Sequence, residues 1–240
     1  RMIIPTRCYL NGNDTWKQFE LVMSSKNIAP AEAKQNFQSI PARNGDLDLS
    51  EALMGIPFYG NREITITLGG KKARAEWTRT LSNVQNKYHN RKVQIIFEDD
   101  PSYYWEGRLT VNDDFELGNE VGTFSVTVNA QPYKMEMRDG GEGTCQAWDT
   151  FVFATDIFRN YHGLQVSGTI TVNVYGNQMP VIPEFEVSAA QNLTVEYQGK
   201  TYQLQNGMNK FYDIVTGPGD NLFTFSGTGV VTIHYRGGSL

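Results

Sequence analysis

The strongest constraint in this sequence is a regular alternation of short apolar and polar runs, interrupted at close intervals by Gly, Asn, Asp and Pro. Successive side chains of a β-strand point to opposite faces, so each run predicts a half-buried strand and each interruption predicts a turn. One segment, residues 72–89, departs from this pattern. Trp77, Leu81, Val84 and Tyr88 follow one another at spacings of four, three and four, which predicts an amphipathic helix. The sequence therefore predicts a mainly β protein whose one helix covers a face of a sheet.

Length and composition favour two domains. The 240 residues are 40% hydrophobic, enough to form a buried core, and two domains of roughly 100–150 residues fit this length. A polar, glycine-rich run over residues 138–143 is the best boundary, because the helical signal disappears beyond it. We expect residues 1–138 to form an N-terminal domain of about six strands and one helix. Residues 141–240 are expected to form a β-sandwich.

Local patterns give more detailed expectations. Apolar residues alternate over residues 19–23 and predict a strand, whereas the polar residues 24–39 predict a loop or a short helical turn. The glycine pair at 69–70 is expected to end a strand. Residues 193–204 contain the turn dipeptide Gln-Gly and predict a hairpin, and residues 211–225 predict a second hairpin.

The stretch over residues 40–68 is unusual because its short apolar pieces are separated by Gly, Pro and Asn. Leu47 and Leu49 alternate with polar residues, and a clean strand pattern follows over residues 64–68. Pieces this short cannot form a core of their own, so the stretch is interpreted as a long arm that leans on something else, such as another subunit. An ordinary β-meander with long loops is the alternative.

Charge and cysteine content narrow the function classes. The net charge of −5 and the isoelectric point near 5.3 disfavour a general nucleic-acid binder, which would carry a basic surplus. No segment approaches the roughly 20 apolar residues of a membrane span. Cys8 and Cys145 form no metal or redox pattern, so two free thiols are expected, with one disulfide as the alternative.

No catalytic, cofactor or metal motif is found, and an enzyme is not expected. The three histidines stand alone: His89, His162 and His234. Acid pairs at residues 99–100 and 113–114 lie beside turns and predict solvated loops rather than a catalytic carboxylate pair. Residues 46–57 begin like a calcium loop, but the glycine and glutamate that such a loop requires are absent.

A basic cluster lies at the start of the predicted helix. It contains Lys71, Lys72, Arg74 and Arg79. Contact with nucleic acid is one interpretation, but acids at residues 98–100 follow soon after. A solvated helix surface is favoured.

Several motifs occur in an order that resembles a known family. RNGDLDL is followed by a YGNREI strand, a helix with a Trp, the segment VQIIFEDDPSYYWEGRLTV and a closing VTIHYRGGSL. Together they resemble the distal tail proteins (baseplate hub proteins) of long-tailed, non-contractile phages that infect Gram-positive bacteria. The resemblance covers most of the chain, and its specificity comes from the ordered set rather than from any one motif.

The resemblance implies a fold and a role. The N-terminal domain would be a β-sandwich or barrel-like domain with one helix and an extended arm at about 40–68, followed by a galectin-like β-sandwich. The protein would form a hexameric ring at the distal end of the tail tube. Its partners would be further copies of the chain, the tail tube protein, the tail-tip protein and receptor-binding proteins, with no membrane, sequence-specific nucleic acid or cofactor. It would be made in the host cytoplasm and reside in the virion tail tip.

The residues expected to contact another subunit or partner all lie in or beside the arm. They are Arg43, Asn44, Asp46, Leu47, Leu49, Phe58, Tyr59 and Arg62.

The alternative function is a carbohydrate-binding module that recognises host cell-wall glycan. Four aromatic residues are candidates for stacking on sugars: Tyr103, Tyr104, Trp105 and Trp148. The galectin sugar-binding patterns H-x-N-x-R and W-x-x-E-x-R are absent from residues 141–240, so a shared fold would not bring a shared site.

Overall fold

The structure, a computed structural model, describes residues 7–52, 55–118, 121–141 and 159–240. The chain divides into two compact units, one formed by residues 1–100 with 105–132 and the other by residues 101–104 with 133–240. Each unit has its own cluster of buried apolar side chains. No helix among the described residues is long and apolar enough to cross a membrane.

The described residues of the first unit form two helices and ten strands. The helices are α1 (Thr15–Phe19) and α2 (Arg74–Tyr88). The strands are β1 (Cys8–Leu10), β2 (Asn13–Asp14), β3 (Val22–Ile28), β4 (Phe37–Gln38), β5 (Leu47–Asp48), β6 (Arg62–Lys71), β7 (Arg91–Phe97), β8 (Asp100–Val111), β9 (Glu116–Leu117) and β10 (Val121–Ala130). The main sheet has the order β2-β1-β7-β8-β10-β6-β3, while β4 and β5 form a separate two-stranded sheet.

Strand β6 lies inside the main sheet because its alternating pattern gives it an apolar face. Ile64, Ile66 and Leu68 are buried in the core, and β6 pairs antiparallel with β10 on one side and with β3 on the other. The sheet also curls, since Lys26 of β3 donates to Asp99, just beyond β7, although three strands separate β3 from β7. This curl gives the unit its barrel-like form.

Helix α2 confirms the predicted helix. Trp77, Val84 and Tyr88 are buried against the sheet, and the Trp77 ring lies 5.2 Å from the ring of Phe115. Gly122 makes room for Trp77, because a Cβ there would lie 2.4 Å from the indole ring. The absence of a side chain at Gly122 of β10 is therefore needed for helix α2 to pack on the sheet.

Three local expectations in the first unit were wrong. The strand predicted over residues 19–23 begins only at Val22 and continues as β3 to Ile28, into the run 24–39 that was expected to be a loop or a short helical turn. Residue 19 belongs instead to helix α1, because Asp14 accepts a hydrogen bond from the Trp16 amide and caps the helix, and Glu20 ends it in a left-handed conformation. The pair Gly69 and Gly70 does not end β6. The strand continues through both, because without side chains they allow the Glu20 carbonyl and Thr123 to approach closely.

The second unit contains strands only among its described residues. They are β11 (Lys134–Glu136), β12 (Leu164–Gly176), β13 (Glu184–Tyr197), β14 (Lys200–Gln203), β15 (Gly207–Lys210), β16 (Gly219–His234) and β17 (Gly238–Ser239). The larger sheet has the order β12-β16-β13-β14, with β15 also paired to β13. Strand β11 pairs with β17 and with residues 103–104 of β8, which belong to this unit.

This larger sheet folds over on itself. Phe185 of β13 is paired with Ile233 of β16, eight residues from Phe225, which is roughly 26 Å along a straight strand. Nevertheless, the ring centroids of Phe185 and Phe225 lie 5.9 Å apart. The bend occurs where Gly168 of β12 opposes Gly227 of β16, both with positive φ. Two halves of one hydrogen-bonded sheet therefore enclose a common core, as in a β-sandwich.

Of the two predicted hairpins, one is confirmed and one was wrong. Strands β13 and β14 are joined by Gln198 and Gly199, both with positive φ as a two-residue turn requires. Residues 211–215 do not form a strand. Phe211 instead packs its ring against those of Tyr202 and Phe185, so its apolar signal reflects core packing.

Candidate interaction surface

The most distinctive surface of the first unit is a protruding segment between β3 and β6, called here the ribbon (residues 29–61). None of its described residues is buried. Three large apolar side chains are exposed within it: Phe37 at 54%, Ile40 at 38% and Phe58 at 39%. Exposed apolar side chains grouped on one protrusion are typical of a surface that contacts another molecule.

The ribbon is held together by its own backbone. The Gly60 amide donates to the Glu32 carbonyl at 2.8 Å, and the Lys34 amide donates to the Phe58 carbonyl at 2.6 Å. Farther out, β4 and β5 pair, and the Leu49 amide donates to the Asn36 carbonyl at 2.8 Å. The segment is an antiparallel pair of chains in which no described residue is fully buried, and a two-stranded pair of this kind has little stability of its own.

The tip of the ribbon is a tight turn, and a negatively charged carboxylate, that of Asp48, follows it. Ala42 and Gly45 adopt positive φ, and both Arg43 and Asn44 between them are exposed. Beyond the turn, hydrogen bonds from the Ser50 side chain and amide lower the pKa of Asp48. The Asp48 carboxylate therefore remains charged at neutral pH.

Apolar side chains occur on both faces of the ribbon. Phe37 lies opposite Asp48, and Gln38 lies opposite Leu47. Because opposed residues share a face and successive residues alternate, Leu47 and Leu49 lie on one face and Phe37 on the other. A single flat contact would cover only one of these faces.

The predicted arm needs a correction in its extent. It was expected over residues 40–68, but residues 62–68 belong to β6 and contribute to the core. The protrusion instead begins at residue 29. Periodicity misplaced both limits because it shows which face of a strand is apolar, not whether another strand pairs with it.

Of the predicted contact residues, seven lie in the ribbon and one does not. Arg43, Asn44 and Asp46 are exposed at the tip, Leu47, Leu49 and Tyr59 are half-buried, and Phe58 is exposed. Arg62 lies at the base. Sequence reasoning did not name Phe37 or Ile40 as contact residues, although two large apolar residues in the otherwise polar run 34–40 were a usable signal.

Arg62 anchors the ribbon to its own unit. Its Nε donates to the Ala29 carbonyl at 2.6 Å and its Nη1 to the Pro132 carbonyl at 3.1 Å. The guanidinium also lies 4.9 Å from the centre of the Trp105 ring. Partial burial lowers the pKa of Arg62, yet an arginine remains charged at neutral pH. Arg62 fixes where the ribbon leaves the sheet.

A second surface lies at the opposite end of β6. We call it the end surface and define it by Trp16, Lys71, Lys72, Arg74, Leu117 and Val121. Trp16 is 47% exposed and Val121 is 52% exposed. A depression of about 520 Å³ lies there, lined by the other four residues together with Ala73, Glu76 and Gly118.

The end surface is positively charged. Three cations and one carboxylate line its depression. The carboxylate, Glu76, accepts a hydrogen bond from the Ala73 amide, and Lys72 pairs with Glu20 at 2.8 Å. The basic cluster noted in the sequence is thus placed beside two exposed apolar side chains.

The predicted sugar-stacking aromatics are not grouped on a surface. Tyr104 and Trp105 are buried, at 9% and 4% exposure, so the prediction that they are exposed was wrong. Tyr103 is half-buried, with the Lys134 ammonium 4.4 Å from its ring centre. Trp148 lies outside the described residues. Trp105 belongs to the apolar core of the first unit, whereas the Tyr104 ring lies 5.7 Å from the Arg236 guanidinium, which donates a hydrogen bond to the Tyr104 hydroxyl.

The described residues contain no group of three or more His, Cys, Asp or Glu side chains that could hold a metal ion. His89 accepts a hydrogen bond from the Val111 amide, and His234 lies between Asp139 and Glu186. Cys8 is a buried free thiol, and burial raises its pKa to about 12. Cys145 lies outside the described residues.

The fold defines a class: the chain has the fold of a phage distal tail, or hub, protein, in agreement with the predicted mainly β fold class. The solved structure that establishes this is Dit (gp 19.1) of SPP1, described as a paradigm of the hub adsorption apparatus in phages that infect Gram-positive bacteria. The TM-score is 0.57 at 12% identity, with 96% of this chain and 98% of that chain covered. At this identity the likeness concerns the fold.

Sequence comparisons give no further relative. No protein-family model matches the chain, and no curated protein matches it. A chain of the phage p2 baseplate in its activated conformation is also similar, covering 96% of this chain and 97% of that chain at 8% identity, but its TM-score of 0.32 is too low to support a conclusion.

Proposed function

We propose that this protein is a structural subunit of a phage tail tip. It assembles as a ring of six copies at the distal end of the tail tube and connects the tube to the tail-tip and host-adsorption proteins. The number of copies and the partners follow from the family resemblance, and the fold likeness to Dit of SPP1 supports the same role.

One observation carries the proposal: an ordered ribbon with apolar side chains on both faces and no buried residue among those described. Such a ribbon gains little from its own unit, so contact with another chain would bury it. A ring requires head-to-tail contacts between unlike surfaces, and a protrusion that grips a neighbour supplies one. Main-chain hydrogen bonds along the ribbon would add to the apolar contact.

The test removes the apolar face of the ribbon. The double variant Leu47→Asp, Leu49→Asp should remain folded but no longer form rings, because charged side chains would have to be buried in the contact. Assembly is measured by light scattering and negative-stain imaging across protein concentration, and folding by circular dichroism.

A matched control is Met208→Asp in the second unit, where the side chain is also apolar and 57% exposed. It should leave assembly unchanged. If the ribbon variant assembles like the unaltered protein, the ribbon is not the contact, and the proposal loses its physical basis.

A further inference from the structure

From the position and charge of the two surfaces of the first unit, we infer that the end surface of one copy is the receptor for the ribbon of the next copy. This inference rests on the proposed ring. It adds which surface of the neighbour is used, and therefore how the head-to-tail contact is built.

Position is the first reason. The ribbon leaves the sheet at Arg62, the first residue of β6, and the end surface adjoins Lys71, the last. Nine residues of strand separate these points by roughly 30 Å. With the ribbon and the end surface at opposite ends of one strand, each copy can contact one neighbour through its ribbon and the other neighbour through its end surface. A closed ring requires such head-to-tail contacts.

Length is the second reason. Between residue 29 and the turn at residue 42 the chain is long enough to span roughly 40 Å when extended. No described residue of the ribbon is buried, and most of them are exposed. It is therefore both long enough and exposed enough to reach across a neighbouring copy.

Charge is the third reason. Residues 43–51 carry three carboxylates, those of Asp46, Asp48 and Glu51, against the single cation of Arg43. The end surface has the opposite balance: three cations and the carboxylate of Glu76 line its depression, and Glu20 pairs with Lys72, which leaves one net positive charge. Opposite potentials would steer the tip to this surface and fix its register.

Apolar contact is the fourth reason. Val121 pairs with Lys71 on one side of the end of β6, and on the other side the Glu20 carbonyl, one helical turn after Trp16, approaches Gly70. Contact with an apolar surface would bury the apolar side chains of the ribbon, which include Phe37 and Ile40. An exposed Trp is frequently a residue that contributes much of the binding energy at interfaces. The contact would therefore have an apolar centre and a charged rim.

The inference is tested by cross-linking in the full chain with Cys145→Ser. Cys8 remains, because its buried thiol is unreactive. Asn44→Cys places a thiol at the tip, and Val121→Cys places one on the end surface. With a short bis-maleimide, the chain that carries both changes should give a ladder of covalent oligomers on a denaturing gel. Each single variant should give only the band of one chain there, because it has no second accessible thiol at the contact. The control pairs Asn44→Cys with Tyr212→Cys, 75% exposed in the second unit, and should give no ladder.

A second measurement uses the receptor itself. Trp16→Ala should raise the protein concentration needed for half-assembly by about ten-fold or more, as loss of an interface anchor does. Rings that form normally without the Asn44–Val121 ladder would overturn this inference and leave the ring proposal intact. An unaltered protein that stays monomeric at every concentration would overturn both.

Discussion

The ribbon and the folded-over sheet of the second unit are built from the same kind of alternating sequence, yet they reach opposite degrees of burial. In the second unit, Phe185, Phe223 and Phe225 are completely buried, because a bend brings two halves of one sheet together. In the ribbon, Phe37 is 54% exposed, and its strand β4 pairs only with β5 in a two-stranded sheet separate from the main sheet. Alternation of apolar and polar residues therefore gives a strand an apolar face, but that face is buried only where a second layer of structure packs against it.

The largest expected effect on stability comes from removing a buried phenylalanine ring at the centre of the second unit. Phe185→Ala should lower the free energy of unfolding by about 3–5 kcal/mol, because it deletes a ring shared by both halves of the sheet and leaves a cavity. Urea denaturation measures this loss. A cost below about 1 kcal/mol would mean that the two halves do not share a core.

An intermediate effect is expected from alkaline pH. Burial raises the pKa of Tyr161, Tyr197 and Tyr235 above the ordinary value of 10.0. Keeping them neutral contributes stability that is fully present below the unfolded pKa and is lost as pH rises through the folded pKa. The free energy of unfolding should fall above about pH 10, by at most about 1.4 kcal/mol per pH unit for each tyrosine.

Tyrosinate absorbance and urea denaturation at increasing pH measure the alkaline effect together. Tyr197→Phe should reduce the slope with pH, although it also removes contacts of the hydroxyl with the Val215 carbonyl and Asn221. If the buried tyrosines of the folded protein ionise freely near pH 10, the second unit is not closed around them.

The smallest effect on stability is expected in the ribbon. Phe37→Ala should change the free energy of unfolding of the dilute protein by less than about 0.5 kcal/mol, since the side chain has no layer to pack against. The same denaturation experiment applies. A loss similar to that of Phe185→Ala would show that Phe37 is already packed within a single chain. That result would contradict the difference in burial between the ribbon and the second unit.

Local patterns predicted the elements whose signal is contained within a few turns or strands. The spacing from Trp77 to Tyr88 predicted α2, and the dipeptide Gln198-Gly199 predicted its hairpin. At the candidate surface, the sequence named Leu47 and the tip residues as contacts, which stays a prediction, and it did not name Phe37. Pairing of Phe37 with Asp48 joins residues from two separated segments, and periodicity contains no information on such a pairing.

Local sequence patterns were sufficient to predict the mainly β class, the long helix and an apolar stretch too short to form its own core. Contacts between distant segments set the start of this stretch at residue 29, its anchoring by Arg62, and the bend at Gly168 and Gly227 that folds one sheet into two layers. The physical reason is that side-chain alternation specifies a face within one strand, whereas burial depends on which distant chain covers that face.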